Sequence, residues 1–80
     1  MADWKEDTAS LSRSFVFPDF TAAIAFISEV ALIADELNHH PEINNVYNKV
    51  TLTLSTHDAG DIVTEKDREL ARRIDAISPQ

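Results

Sequence analysis

Residues 18–41 read PDFTAAIAFISEVALIADELNHHP, and this stretch decides the fold. Pro18 stops whatever precedes it, and Asp19 is placed to cap a helix with its short acceptor side chain. Phe20, Ile24, Ile27, Ala31 and Ala34 then recur at helical spacing, which predicts a core-facing stripe. Pro41 disfavours helical geometry at His40 and has no N–H to donate, so the helix is predicted to end near Leu37-Asn38. Ala22, Ala25, Leu32 and Ile33 fall roughly opposite the first stripe. A helix apolar on two sides is usually buried on two sides, so this second face is expected to form a subunit interface.

Upstream, Leu11, Arg13, Phe15 and Phe17 share one parity, while Ser10, Ser12, Ser14 and Val16 share the other. This alternation reads as a strand, preceded by a turn at Asp7-Thr8 and a short strand around Trp4. Downstream, a strand region runs from about Asn45 to Thr56, with Val50, Leu52 and Leu54 alternating against Lys49, Thr51, Thr53 and Ser55. The loop Asp58-Ala59-Gly60-Asp61 holds the one glycine of the chain. Thr64-Glu65-Lys66-Asp67 reads as an N-cap with an acidic first turn, opening a helix whose apolar positions are Leu70, Ala71, Ile74 and Ile77. The first residues and Ser78-Pro79-Gln80 are expected to fray. Strand, strand, helix, strand or hairpin, helix implies an α+β fold, an antiparallel sheet with two helices on one face.

Eighty residues fit one domain, residues 1–80, and a core this small gains from good packing or self-association. Without cysteine there is no disulfide framework and no thiolate metal site. Seven basic against fourteen acidic side chains give a net charge of −7, which opposes binding to a phosphate backbone, so no direct nucleic-acid ligand is expected. No stretch reaches the length of a membrane span, and Met1-Ala2-Asp3-Trp4-Lys5 lacks the pattern of a signal peptide. The expectation is a cytoplasmic protein without membrane contact.

The three histidines sit at element ends, His39 and His40 after the long helix and His57 after the long strand. Histidine titrates near neutrality, so three converging on one pocket would supply acid, base and orienting group without a cofactor. Spacing leaves open whether they converge or are unrelated surface side chains. Adjacent histidines rarely face one ion, and His57 has no companion at ligand spacing, so no metal is expected. Serine or cysteine nucleophiles and phosphate loops are absent as patterns, the single glycine forbidding the latter. Asp67 reads first as a capping residue, Glu42 as a group able to orient a neighbouring histidine or simply solvated, and Asp35 and Glu36 as surface charge.

The run His39-His40-Pro41-Glu42, then Asn45-Val46-Tyr47-Asn48-Lys49-Val50, then Thr53-Leu54-Ser55-Thr56-His57, resembles the pterin-4a-carbinolamine dehydratase family. The chain resembles a short form that starts without the helix preceding the Trp-containing strand in many members. The resemblance implies dehydration of 4a-hydroxytetrahydropterin to quinonoid dihydropterin, in tetrahydrobiopterin recycling, with no metal and no cofactor. It puts His39, His40 and His57 on the family's catalytic histidines, with His57 or His39 as the acid and His40 orienting the ring. It puts Asn38, Pro41, Glu42, Ser55, Thr56 and Asp67 on substrate-binding positions. Ile43 stands where relatives commonly carry tryptophan, and the loop between His57 and Asp67 is about one residue longer than in some of them. The family implies a homodimer or homotetramer. Its animal members also bind the dimerisation helix of a homeodomain transcription factor, so an interaction module, or a pterin-binding protein with lost or changed activity, is the alternative.

Overall fold

The computed structural model describes residues 3–79; Met1, Ala2 and Gln80, among the termini expected to fray, lie outside the described residues. Four strands and two helices follow one another as β1 (Lys5–Glu6), β2 (Leu11–Val16), α1 (Phe20–Leu37), β3 (Glu42–Val46), β4 (Lys49–Leu54) and α2 (Glu65–Ile77). The strands form one antiparallel sheet in the order β1-β2-β4-β3. The α+β architecture is the one the hydrophobic periods imply.

Register explains which side chains enter the core. Leu11, Arg13 and Phe15 of β2 stand opposite Leu54, Leu52 and Val50 of β4, so alternation places all six on the face that the helices cover. Five of the six are fully buried apolar side chains, and they join Ala23, Phe26 and Val30 of α1 and Leu70, Ala71 and Ile74 of α2 in one core. Each such burial contributes roughly 1.5–3 kcal/mol for a Leu- or Phe-sized group. Arg13 shares that face because its guanidinium donates to Asp75 of α2 at 2.7 Å and lies 4.5 Å from the Phe15 ring centroid. Asp75 also accepts from the Trp4 indole N–H at 2.8 Å, which fastens the chain start over the same helix. The opposite face carries Ser12, Ser14, Thr51 and Thr53, with the Ser14 and Thr51 hydroxyls 2.9 Å apart, and ends in the exposed Val16 and Val46.

The strand region expected from Asn45 to Thr56 is a hairpin whose first strand starts at Glu42, directly after Pro41. Tyr47 and Asn48 make the two-residue turn, with Tyr47 at φ 52°, a left-handed value that no glycine marks in this stretch. Asn45 donates to the carbonyls of Tyr47 and Lys49, at 3.1 and 3.0 Å, and so closes a turn that glycine would ordinarily occupy. Asn48 and Phe17 exchange two 2.9 Å bonds that tie the turn to the end of β2.

α1 has the expected bounds, capped by Asp19 through a 2.8 Å bond from the Ala22 N–H, but a different rotation. Its buried positions are Ala23, Phe26, Val30, Ile33 and Ala34. Phe20 and Ile24, expected in the core stripe, are 49% and 39% exposed, and Ile33, expected on the interface, is buried. The helix is apolar over most of its circumference, so sequence spacing fits two faces about 100° apart. Phe15 and Phe17 select between them by stacking on Phe26, at centroid distances of 4.8 and 5.0 Å. Leu32 remains outside, 70% exposed.

Candidate active site

The C-terminal end of α1 turns on Asn38, whose backbone adopts the left-handed conformation, φ 51° and ψ 43°. Asparagine tolerates that region better than most residues, so it serves as the helix stop that glycine often provides. The Asn38 N–H donates to Asp35 O at 3.2 Å and the His39 N–H to Ala34 O at 3.0 Å, and this reversal sends the two histidine side chains apart. The His39 side chain is 13% exposed and His40 58%.

Beneath His39 lies Asp67, fully buried at the third position of α2. Its Oδ1 is 2.5 Å from His39 Nε2, and its Oδ2 accepts from the Thr56 hydroxyl at 2.7 Å and the Thr64 N–H at 2.9 Å. The last of these is half of the capping box that the Thr64–Asp67 spacing announced. Thr56 has one hydroxyl proton and gives it to Asp67, so in the 2.5 Å contact between the two threonine hydroxyls Thr64 is the donor. Every bond at the carboxylate is thus donated to it, which compensates its burial. Because a carboxylate only accepts, His39 carries its proton on Nε2 and has Nδ1 left for other work.

His40 Nε2 lies 2.9 Å from Asp35 Oδ1, and His57 Nδ1 lies 2.9 Å from Asp61 Oδ1. Each histidine therefore has its own carboxylate, and the ring nitrogen engaged differs between His57 and the other two. His57 opens a single 3-10 turn (His57–Ala59) after β4, and its side chain is 90% exposed. The Asp61 hydrogen bond, and then the charges of Asp61 and Asp58, raise the His57 pKa above its ordinary 6.5.

One open cleft of about 250 Å³ collects these groups: His39, His40 and His57 line it, with Asn38, Ser55 and Thr56. Asp58 and Lys66 complete its rim. Ser55 Oγ is buried in its wall and has no hydrogen-bond partner among the described residues. A larger cleft of about 470 Å³ adjoins on the far side of His39, sharing Lys66 and running over Leu37 between Glu65, Glu69 and Arg72. Not every residue singled out in the sequence reaches the cleft. Asp67 sits behind His39 and is closed off from it, while Pro41, Glu42 and Ile43 are not among its lining residues. The carboxylate that orients His40 is Asp35, read from sequence as surface charge, and not Glu42. Asp61 carries no role in the sequence reading, and Thr64 only that of a cap. The signal for Asp61 was its position four residues after His57, beyond the only glycine; nothing local marked Thr64 as more than a cap.

Compared with known proteins, residues 1–77 match the model of a family described as pterin 4 alpha carbinolamine dehydratase. The chain belongs to this family. A relative from Rhizorhabdus wittichii bearing the family's name is 46% identical over 80 residues, covering 98% of this chain and 81% of its own length. One from Burkholderia multivorans is 55% identical over 69 residues, covering 86% of this chain and 67% of its own. Among solved structures, a transcriptional coactivator/pterin dehydratase from Brucella melitensis superposes with a TM-score of 0.88 at 42% identity, over 95% of this chain and 82% of that one. A pterin dehydratase-like protein identified as a RuBisCO assembly factor in the alpha-carboxysome superposes with a TM-score of 0.76 at 27% identity, over 96% of this chain and 88% of that one. The family membership read from the histidine and Ser-Thr-His motifs is therefore shown, together with its α+β fold. Among the described residues no helix is long and apolar enough to cross a membrane.

Proposed function

We propose that this chain dehydrates a 4a-hydroxytetrahydropterin to the quinonoid dihydropterin, by acid and base catalysis from histidine side chains and without a cofactor. The observation that carries this reading is the convergence of His39, His40 and His57, from two separate element ends, on one cleft. Loss of water from the carbinolamine requires a proton delivered to the C4a hydroxyl and a proton taken from a ring N–H. His39 offers Nδ1 and His57 offers Nε2 to the cleft, since their other nitrogens are engaged by carboxylates. His40 orients the ring. Asn38, Ser55 and Thr56 supply polar contacts along the wall, and the unpaired Ser55 hydroxyl is satisfied by a pterin heteroatom. Asp67 acts through His39, and Pro41 and Glu42 hold the chain between His40 and β3, so none of the three is a contact residue in this reading.

The working form is a cytoplasmic homodimer or homotetramer, in which a second copy covers Phe20, Ile24 and Leu32 of α1. Light scattering reads that directly. The same exposed leucine favours the second reading, an interaction role of the kind named for the Brucella coactivator or the carboxysome assembly factor. The test of the main reading is the rate of quinonoid dihydropterin formation from freshly generated carbinolamine, with the protein and with buffer alone. Acceleration over buffer supports the enzyme; a folded protein that adds nothing to the spontaneous rate leaves the interaction role.

A further inference from the structure

The loop that follows His57 is held in an unusual path. Gly60 and Asp61 both take positive φ, 90° and 58°, one directly after the other. Four backbone bonds close this path: Thr56 N–H to Ile62 O at 2.8 Å, Asp61 N–H to Thr56 O at 3.1 Å, Ala59 N–H to Thr56 O at 3.2 Å and Gly60 N–H to His57 O at 3.0 Å. Three of the four end on Thr56, whose hydroxyl also holds Asp67 behind His39. Thr56 is thus the common anchor of two histidine–carboxylate pairs. Its side chain fixes the partner of His39, and its backbone fixes the loop that carries the partner of His57. A non-glycine residue at φ 58° costs free energy that the chain recovers elsewhere, and aspartate is among the few side chains that tolerate it. What the conformation achieves is to turn the Asp61 carboxylate back onto His57 Nδ1, 2.9 Å away.

Resting on the dehydratase reading above, we infer that Asp61 is a positioning residue for His57: it takes the proton-bearing Nδ1, aims Nε2 into the cleft and makes His57 the acid of the reaction. The assignment separates the two working histidines by atom. His57 is held at Nδ1 and presents Nε2, whereas His39 is held at Nε2 and presents Nδ1. In the step, imidazolium Nε2–H gives its proton to the C4a hydroxyl oxygen, the C4a–O bond breaks and water leaves. A ring nitrogen lone pair forms the new double bond, and the N–H proton passes to His39 Nδ1, so the gain at one histidine balances the loss at the other. The charged groups that face His57 are Asp58 and Asp61 on its own loop, His39 and His40 from the end of α1 and Lys66 from α2. The Asp61 hydrogen bond, and then the charges of Asp61 and Asp58, raise its pKa, which favours the acid form.

Two variants suit the backbone, because asparagine and glycine both accept positive φ. Asp61→Asn keeps an acceptor for Nδ1–H but removes the charge; Asp61→Gly removes both. The readouts are the imidazole titration of His57 followed by NMR and the pH–rate profile of carbinolamine dehydration. Expected are an Nδ1–H tautomer for neutral His57 in the native chain and in Asp61→Asn, and its loss in Asp61→Gly. The titration midpoint and the upper limb of the rate profile move together to lower pH in both variants. Activity falls by less than the ~10²- to 10⁴-fold that removing an acid–base group itself costs. Asp61→Glu restores part of the shift. If His57 titrates alike in all variants, or its titration moves and the rate profile does not, the role of Asp61 is overturned while the dehydratase reading stands. If the native chain itself fails to accelerate the reaction, both fall together.

Discussion

The inner wall and the outer rim of the cleft use the same pair of functional groups, an imidazole and a carboxylate, in opposite surroundings. On the inner wall Asp67 is fully buried and takes three donated hydrogen bonds, from His39, Thr56 and Thr64. On the rim, His57 and Asp61 are 90% and 70% exposed by side chain and hydrogen-bond to each other. In low dielectric, removal of one partner strands the other, so the inner pair is part of what holds α2 against the C-terminal end of α1. In water the same pair contributes little to folding, and its value lies in the direction of one ring and the charge it carries. The carboxylate behind His39 holds the fold and fixes a tautomer, while the carboxylate beside His57 sets the direction of one exposed ring and raises its pKa.

Substitution of Asp67 separates the two regions most strongly. Asp67→Ala leaves His39, Thr56 and Thr64 without their shared acceptor and also breaks the reciprocal cap of α2, and it is expected to destabilise the fold by about 3–5 kcal/mol in urea unfolding. A loss below 1 kcal/mol would put the inner pair in the same class as the rim. Thr56→Val is milder, since Asp67 keeps two donors; about 1–3 kcal/mol is expected from the same measurement, for the unsatisfied oxygen and the stranded Thr64 hydroxyl.

These contrasts were legible in the sequence only in part. α1, α2 and the paired strands follow from period and caps, and Asp19, Thr64 and Pro41 mark element ends through chemistry that acts within four residues. The rotation of α1 was not legible, because Phe20, Ile24 and Ala31 make as good a stripe as Phe26, Val30 and Ile33 until Phe15 and Phe17 choose. His39, His40 and His57 stood out by residue type and by their place at element ends. Their carboxylates did not. Asp35 reaches His40 only because Asn38 turns left-handed, Asp61 reaches His57 only through two successive positive φ angles, and Asp67 meets His39 across 28 residues of chain. Such pairings are made by tertiary packing and by backbone conformations that local propensity disfavours.

The smallest expected effect concerns pH and the rim pair. The folded pKa of His57 lies above its unfolded value near 6.5, so the pair's contribution to stability is fully present below that value and is lost as pH rises through the folded pKa. Thermal unfolding of the native chain and of Asp61→Asn at pH 5.5 and pH 8.5 should show the native advantage at the acid end only. An advantage that grows with pH would contradict the assigned direction.

One kinetic comparison separates a rim histidine that serves chemistry from one that serves folding. Quinonoid dihydropterin formation from fresh 4a-carbinolamine is followed for the native chain, for His57→Ala and for buffer alone, with circular dichroism of the same samples. If His57 serves the chemistry, the native acceleration falls by ~10²- to 10⁴-fold in His57→Ala, or to the buffer rate where the acceleration is smaller, while the fold is unchanged. A folded His57→Ala protein that retains the native rate would contradict it.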